Sequence, residues 1–197
     1  TGMVMYAQIF AILAALSVFL PGHRLGAVTI EPASLEELAN ESAVIVEGMV
    51  GSSRSYWGSE QRVIYTETRF EVNQVFKGDS VQRTVLIRQL GGQVGETAME
   101  INGVQPLRKN QHLILFLQPN RGEGTYSIHS LILGKFFIEE DKAGKQTVRS
   151  AVGVPDLRQS ATGKVVQFRK DFAPKPRAQF LGELDRVIRE SSGEETR

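Results

Sequence analysis

"VIYTETRFEVNQVFKGD", residues 63–79, carries the longest uninterrupted alternation in the chain. Ile64, Thr66, Thr68, Phe70 and Val72 fall on one face, and Tyr65, Glu67, Arg69 and Glu71 on the other. A period of two over this length predicts a β-strand with one face in a core. The alternation slips at Asn73-Gln74, so that Val75 carries the next apolar side chain. Such a slip predicts a β-bulge, which bends a strand where a sheet curls toward a barrel. Lys77-Gly78-Asp79 then supplies turn residues.

Shorter segments of the same kind lie on either side. Upstream, Ala43–Val50 (AVIVEGMV) reads as a strand, followed by a polar connection, GSSRSYWGSEQ, that places Tyr56 and Trp57 on a loop. Downstream, Thr84–Leu90 and His112–Leu117 are strands, and Thr97–Gly103 is a short one. The stretch YSIHSLILGKFFIEED adds one or two more before a tight turn at Asp141–Gly144 and a last strand in KQTVRS. Five to seven short antiparallel strands predict an all-β domain, a small barrel or sandwich, with flanking helices.

Both helices have local signals. Ser34-Leu-Glu-Glu37 is a capping box, in which Ser34 caps the Glu37 amide and Glu37 returns to the Ser34 amide. This first helix ends at Asn40–Ser42. Near the other end, Pro174 and Pro176 stop the extended chain. Phe180, Leu181, Leu184, Val187 and Ile188 then share one helical face, predicting an amphipathic helix over 173–190 packed on the β-domain of 28–172. Residues 191–197 read as a frayed tail.

Ala7–Leu20 is free of charge and almost wholly apolar, and Pro21-Gly22 breaks it. The length suits the apolar region of a signal peptide over 1–27, with an uncleaved membrane anchor as the alternative. An exported protein, periplasmic or extracellular, is therefore expected. The whole chain has 23 Lys and Arg against 22 Asp and Glu, and Arg24 is the one charge within 1–27. The remainder is neutral, which leaves no electrostatic footprint for nucleic acid or for anionic membranes. Cysteine is absent, so thiolate nucleophiles, Cys-bound zinc and lipoprotein acylation are excluded.

The remaining chemistry is sparse. "QLGGQVGE", Gln89–Glu96, places Gly91, Gly92 and Gly95 after a strand, as a phosphate loop would. The following residues alternate like a strand, Glu96 is acidic, and no Lys or Arg lies between Arg88 and Arg108. The stretch is read as a corner whose glycines supply positive φ or close backbone approach. His112 and His129 sit alone on strands, and Glu139-Glu140-Asp141 precedes a turn, so no metal site is assigned. Glu67 and Glu71 flank Arg69 as an outward charge ladder. No catalytic residue and no cofactor is assigned.

Taken together, "SAVIVEGMV", "IYTETRFEVNQVFKGD", "VLIRQLGGQVG" and "LRKNQHLILFL" resemble the netrin-like module, the OB-type barrel of the tissue inhibitors of metalloproteinases. The long strand ending in Val75–Gly78 and the late strand "HLILFL" carry most of the likeness, which spans Pro32 to Leu133. The chain is most similar to cysteine-free bacterial exported proteins of unknown function with the same order of motifs. The resemblance implies a five-stranded OB-type β-barrel with loops at its rims. Without cysteine, the zinc-chelating N-terminus of the eukaryotic inhibitors does not carry over.

The expected function is a non-enzymatic binding module that meets an unknown protein partner through rim loops. Its candidate contacts are Tyr56, Trp57, Gln89, Gly91, Gly92, Gln93 and Gly95. Aromatics on loops commonly anchor interfaces. Alternatives are a cysteine-free protease modulator, and a carbohydrate-active or carbohydrate-binding protein.

Overall fold

The structure, a computed structural model, describes residues 34–79, 81–101, 104–130, 133–151 and 172–193. The expected leader over 1–27 lies outside the described residues. Among the described residues, ten strands and two helices follow one another: α1 (Leu35–Glu41), β1 (Val44–Trp57), β2 (Ile64–Lys77), β3 (Thr84–Leu90), β4 (Gly92–Val94), β5 (Thr97–Met99), β6 (His112–Asn120), β7 (Thr125–Ile128), β8 (Lys135–Glu140), β9 (Gln146–Ser150), β10 (Lys175–Pro176) and α2 (Arg177–Ser191).

Eight strands form one sheet in the order β1-β2-β3-β7-β6-β8-β9-β10, and β1 also pairs with β6. That extra pairing joins β1, β2, β3, β7 and β6 into a five-strand ring. The sheet is mixed rather than wholly antiparallel as expected, because β3 and β7 run parallel at Ile87↔Tyr126. Two antiparallel strands joined by a hairpin cannot make that contact. The parallel pairing is possible because β4, β5 and β6 lie between β3 and β7 in the chain and return it in the same direction.

The long strand curls by bulges. Its register against β1 passes from Glu47↔Gln74 to Gly48↔Val72, leaving out Asn73, and from Ile45↔Lys77 to Val46↔Val75, leaving out Phe76. The slip read at Asn73-Gln74 is thus a break in pairing. Its consequence differs from the expectation: Val75 is exposed, and Phe76 packs against the helix-side core. Phe76, skipped in the pairing, thus serves the opposite core from Val72, which packs in the ring.

Two cores result. Val44, Val46, Phe70, Ile87, Leu113, Leu115 and Leu117 fill the ring. On the other face of the same strands, Ile45, Ile114 and Phe116 meet Leu35 and Leu38 of α1 and Phe180, Leu184 and Val187 of α2. Phe136 centres this second core, with ring centroids 5.4 Å from Phe116 and 5.0 Å from Phe180. The run HLILFL is apolar without alternation because β6 is covered on both faces.

The capping box of α1 forms as the sequence predicts, with Ser34 Oγ accepting from the Glu37 amide at 3.0 Å and Glu37 accepting from the Ser34 amide at 2.6 Å. Lys77, at the end of β2, donates from Nζ to the Ala39 and Asn40 carbonyls at 2.6 and 3.1 Å. A lysine on the last carbonyls of a helix satisfies acceptors that the helix itself leaves open.

Candidate functional site

The site is built where β3 ends. Gly91 and Gly92 have φ of 97° and 133°, and the chain leaves the ring there to form the separate β4–β5 hairpin. It stays tied to β2: the Gly91 amide donates to the Ile64 carbonyl at 2.8 Å, and Thr66 Oγ1 donates to the Gly91 carbonyl at 2.7 Å. A Cβ at Gly91 would lie 2.8 Å from the Met99 carbonyl oxygen. One at Gly92 would run into the Thr66 hydroxyl and come within 2.6 Å of Ser55 Oγ. Gly95, with φ of 59°, turns the hairpin and has open space around it.

The stretch "QLGGQVGE" is therefore a corner whose glycines are required by close approach as well as by φ. Replacing Gly92 with Val is expected to cost about 2 kcal/mol, lowering the melting temperature by roughly 4–8 °C for a chain of this size. An unchanged transition in thermal unfolding would remove the requirement.

Beside the corner lies a cleft of about 560 Å3. Gln89, Gly91, Gly92 and Gln93 line one side, and Met99, Ile101 and Pro106 another. Four of the seven expected contact residues are thus brought to one concavity. Gln89 Oε1 accepts from the Leu107 amide at 3.2 Å, which ties the segment between β5 and β6 to β3.

A second cleft of about 430 Å3 adjoins it, sharing Gln89, Leu90 and Val104. Its distinctive group is Arg88. The guanidinium carbon lies 3.9 Å from the centre of the Tyr65 ring, and Nη1 bonds the Glu123 carboxylate. The bond to Glu123 raises the pKa of Arg88, so the cation is permanent. Arg121, from the turn after β6, also lines this cleft.

Tyr56 and Trp57 lie elsewhere than expected. They end β1, opposite Tyr65 and Ile64, instead of standing on a loop. The turn is confined to the residues between Trp57 and Ile64, where the Gly58 amide donates to the Val63 carbonyl at 2.7 Å. The arm was unreadable as a strand because its pairs are polar: Ser53 Oγ meets Thr68 Oγ1, and Ser55 Oγ meets Thr66 Oγ1, each at 2.9 Å. Tyr56 donates its hydroxyl to Glu67 Oε1 at 2.6 Å, and its ring lies 6.2 Å from that of Tyr65. Burial, and then the Glu67 bond, push the phenol pKa up. Glu67 is half-buried in this contact, whereas Arg69 and Glu71 are exposed.

Neither histidine is isolated. His129, which follows β7, lies 3.1 Å from Glu41 Oε2 through Nε2. His112, which opens β6, places Nε2 2.9 Å from Glu47 Oε1. Glu47 is almost wholly buried, and Arg177 at the start of α2 donates to both its oxygens at 2.9 and 2.8 Å. Nothing in the pattern around Glu47 announced this, since the partners are 65 and 130 residues away.

A second buried charge also escaped the sequence. Lys135 in β8 is only 1% exposed, with Nζ donating to the Gln105 carbonyl at 2.8 Å and lying 5.4 Å from the centre of the Phe137 ring. Burial pushes its pKa down to about 8.

At the Glu139-Glu140-Asp141 tip, Asp141 Oδ1 accepts from the Ala143 and Lys145 amides at 2.8 and 3.0 Å, closing the turn. Among the described residues no three His, Asp or Glu side chains cluster as a metal site would require. Compared with protein-family models, with curated proteins and with solved structures, the chain matches none.

Proposed function

We propose that this protein is an exported, non-enzymatic binding module that meets a protein partner with the open end of its strand ring. The observation that carries the reading is Leu90. Among the described residues, it and Val75 are the large hydrophobics left exposed, at 38% and 42%. A single exposed leucine is ordinary, but this one stands on the ridge shared by two adjoining clefts. An apolar side chain rimmed by polar groups has the apolar-centre, polar-rim anatomy of an interface, and Arg88 and Tyr65 beside it are of the residue types enriched at hot spots.

The finer fold belongs to the same proposal. Numbered among its own five members, the ring runs 1-2-3-5-4-1 with the third and fifth parallel, the order of an OB barrel. OB barrels bind along the second and third strands and the loops beside them. Here those strands are β2 and β3, which supply Tyr65, Thr66, Arg88, Gln89 and Leu90 to the clefts. Kinship with the netrin-like modules is supported by this order and by the helices at both ends. Export is supported by the apolar run of Ala7–Leu20.

The test is crosslinking of the protein in its native exported fraction, followed by mass spectrometry. One protein is expected to be enriched with the parent chain and lost with Leu90→Asp. Retention by Leu90→Asp with loss on changing Tyr56 and Trp57 to Ala would move the interface to the β1–β2 arm. Absence of any enriched protein would overturn the protein-partner reading in favour of a small ligand or glycan. Should the captured protein be a protease, inhibition of its activity by the parent chain would establish the modulator reading.

A further inference from the structure

We propose that the cleft at Arg88 is a carboxylate site, and that the partner segment it receives carries an acidic group beside an apolar side chain. This rests on the binding-module reading and names the chemistry of the same surface. Arg88 is held by an aromatic ring as well as by its ion pair, since its guanidinium carbon lies 3.9 Å from the Tyr65 ring centre. A guanidinium held over a ring is restrained by that contact, which does not consume its N–H donors, so they remain available to a carboxylate.

The present carboxylate is a poor permanent partner. Glu123 has a 45% exposed side chain and sits in the turn between β6 and β7, between Gly122 and Gly124 with φ of 75° and 65°. Pairs this exposed contribute little to stability, so exchange for another carboxylate costs little. Arg88 is also under-satisfied, because its buried Nε has no acceptor among the described residues.

Arg121 completes the argument. It lines the same cleft from the same turn, is exposed, and has no ionic partner among the described residues. The lining thus holds two cations, Arg88 and Arg121, against one anion, Glu123. One added carboxylate, bridging the two arginines as Glu123 moves to water, takes over the pairing of Arg88 and adds that of Arg121. Leu90 and Val104, shared with the adjoining cleft, offer burial to the apolar neighbour of that acid.

The experiment is an amide-resolved NMR titration of the full chain with three probes. These are acetyl-Asp-Leu-amide, acetyl-Asn-Leu with a free C-terminal carboxylate, and acetyl-Asn-Leu-amide. A carboxylate probe is expected to shift the amides of Arg88, Leu90, Arg121 and Gly122, and to bind about tenfold more tightly than the fully amidated control. Preference for the first or second probe distinguishes an acidic side chain from a chain end. Glu123→Gln should tighten carboxylate binding several-fold by removing the internal competitor. Arg121→Gln, at an exposed position that folding does not use, should weaken it by about tenfold. Equal binding of the amidated control, no binding by either carboxylate probe, or no gain from Glu123→Gln would overturn the assignment. The binding-module reading would survive any of these if capture still depended on Leu90.

Discussion

At neutral pH, Lys135→Met is expected to unfold at a higher temperature than the parent chain. Lys135 is buried to 1% exposure with a single carbonyl acceptor, and its pKa is pushed down to about 8 by that burial. In the unfolded chain the same ammonium titrates near its ordinary value of 10.5. Below pH 8 both states are protonated, and the folded state carries the full desolvation cost. Between pH 8 and 10.5 the unfolded state binds more protons, so the stability of the parent rises with pH across that window. A displacement of this size corresponds to about 3 kcal/mol at most.

Methionine has a similar length and no charge, and the Gln105 carbonyl it abandons belongs to an exposed residue that water can reach. The net gain at pH 7 is about 2 kcal/mol, or roughly 4–8 °C. Urea unfolding of parent and variant from pH 7 to 10.5 checks it, because the gap between them should shrink as pH rises. A variant less stable at pH 7, or a gap independent of pH, would show that the ammonium is better compensated than its single bond implies.

Removing the Glu47 carboxylate is expected to have the opposite and larger effect. Glu47 is 4% exposed and accepts from Arg177, which begins α2, and lies against His112, which begins β6. Glu47→Ala leaves the Arg177 guanidinium beside a cavity, with its buried Nε already unpartnered. Breaking a buried pair from one side costs about 3–5 kcal/mol, and the lower end applies here because the Arg177 side chain left without its counter-ion is 28% exposed. The double variant Glu47→Leu/Arg177→Met should recover much of that loss, since apolar replacement of both partners is nearly neutral. Chemical denaturation of the three proteins measures the coupling. A loss under about 1 kcal/mol for Glu47→Ala would mean that α2 is held by Phe180, Leu184 and Val187 alone.

These two sites divide the labour between helix and ring differently. The Glu47 cluster clamps α2 to the outside of β1 and β6, with directional bonds added to a non-directional apolar contact. Lys135 instead reaches the segment between β5 and β6, at Gln105, which lines the larger cleft. A buried cation that costs stability while tying down Gln105, a residue lining the cleft, fits the common compromise between stability and binding.

The elements whose signals are local were legible in the order of residues alone. A period of two set β2, its bulged end and β3, and the capping box set α1 from Ser34 onward. The apolar face of α2, and the glycine corner at 91–92, were legible for the same reason: backbone geometry writes its own period into neighbouring residues. The outer arm of β1 was not legible, because hydroxyl pairs with Thr66 and Thr68 replace apolar alternation there. Long-range packing alone shows that β1 closes on β6, that Arg88 lies over Tyr65 within reach of Glu123, and that Glu47 and Lys135 are buried. Each of those joins residues far apart in the chain. Such contacts follow from how loops close and sheets curl, and no short window of residues encodes that closure.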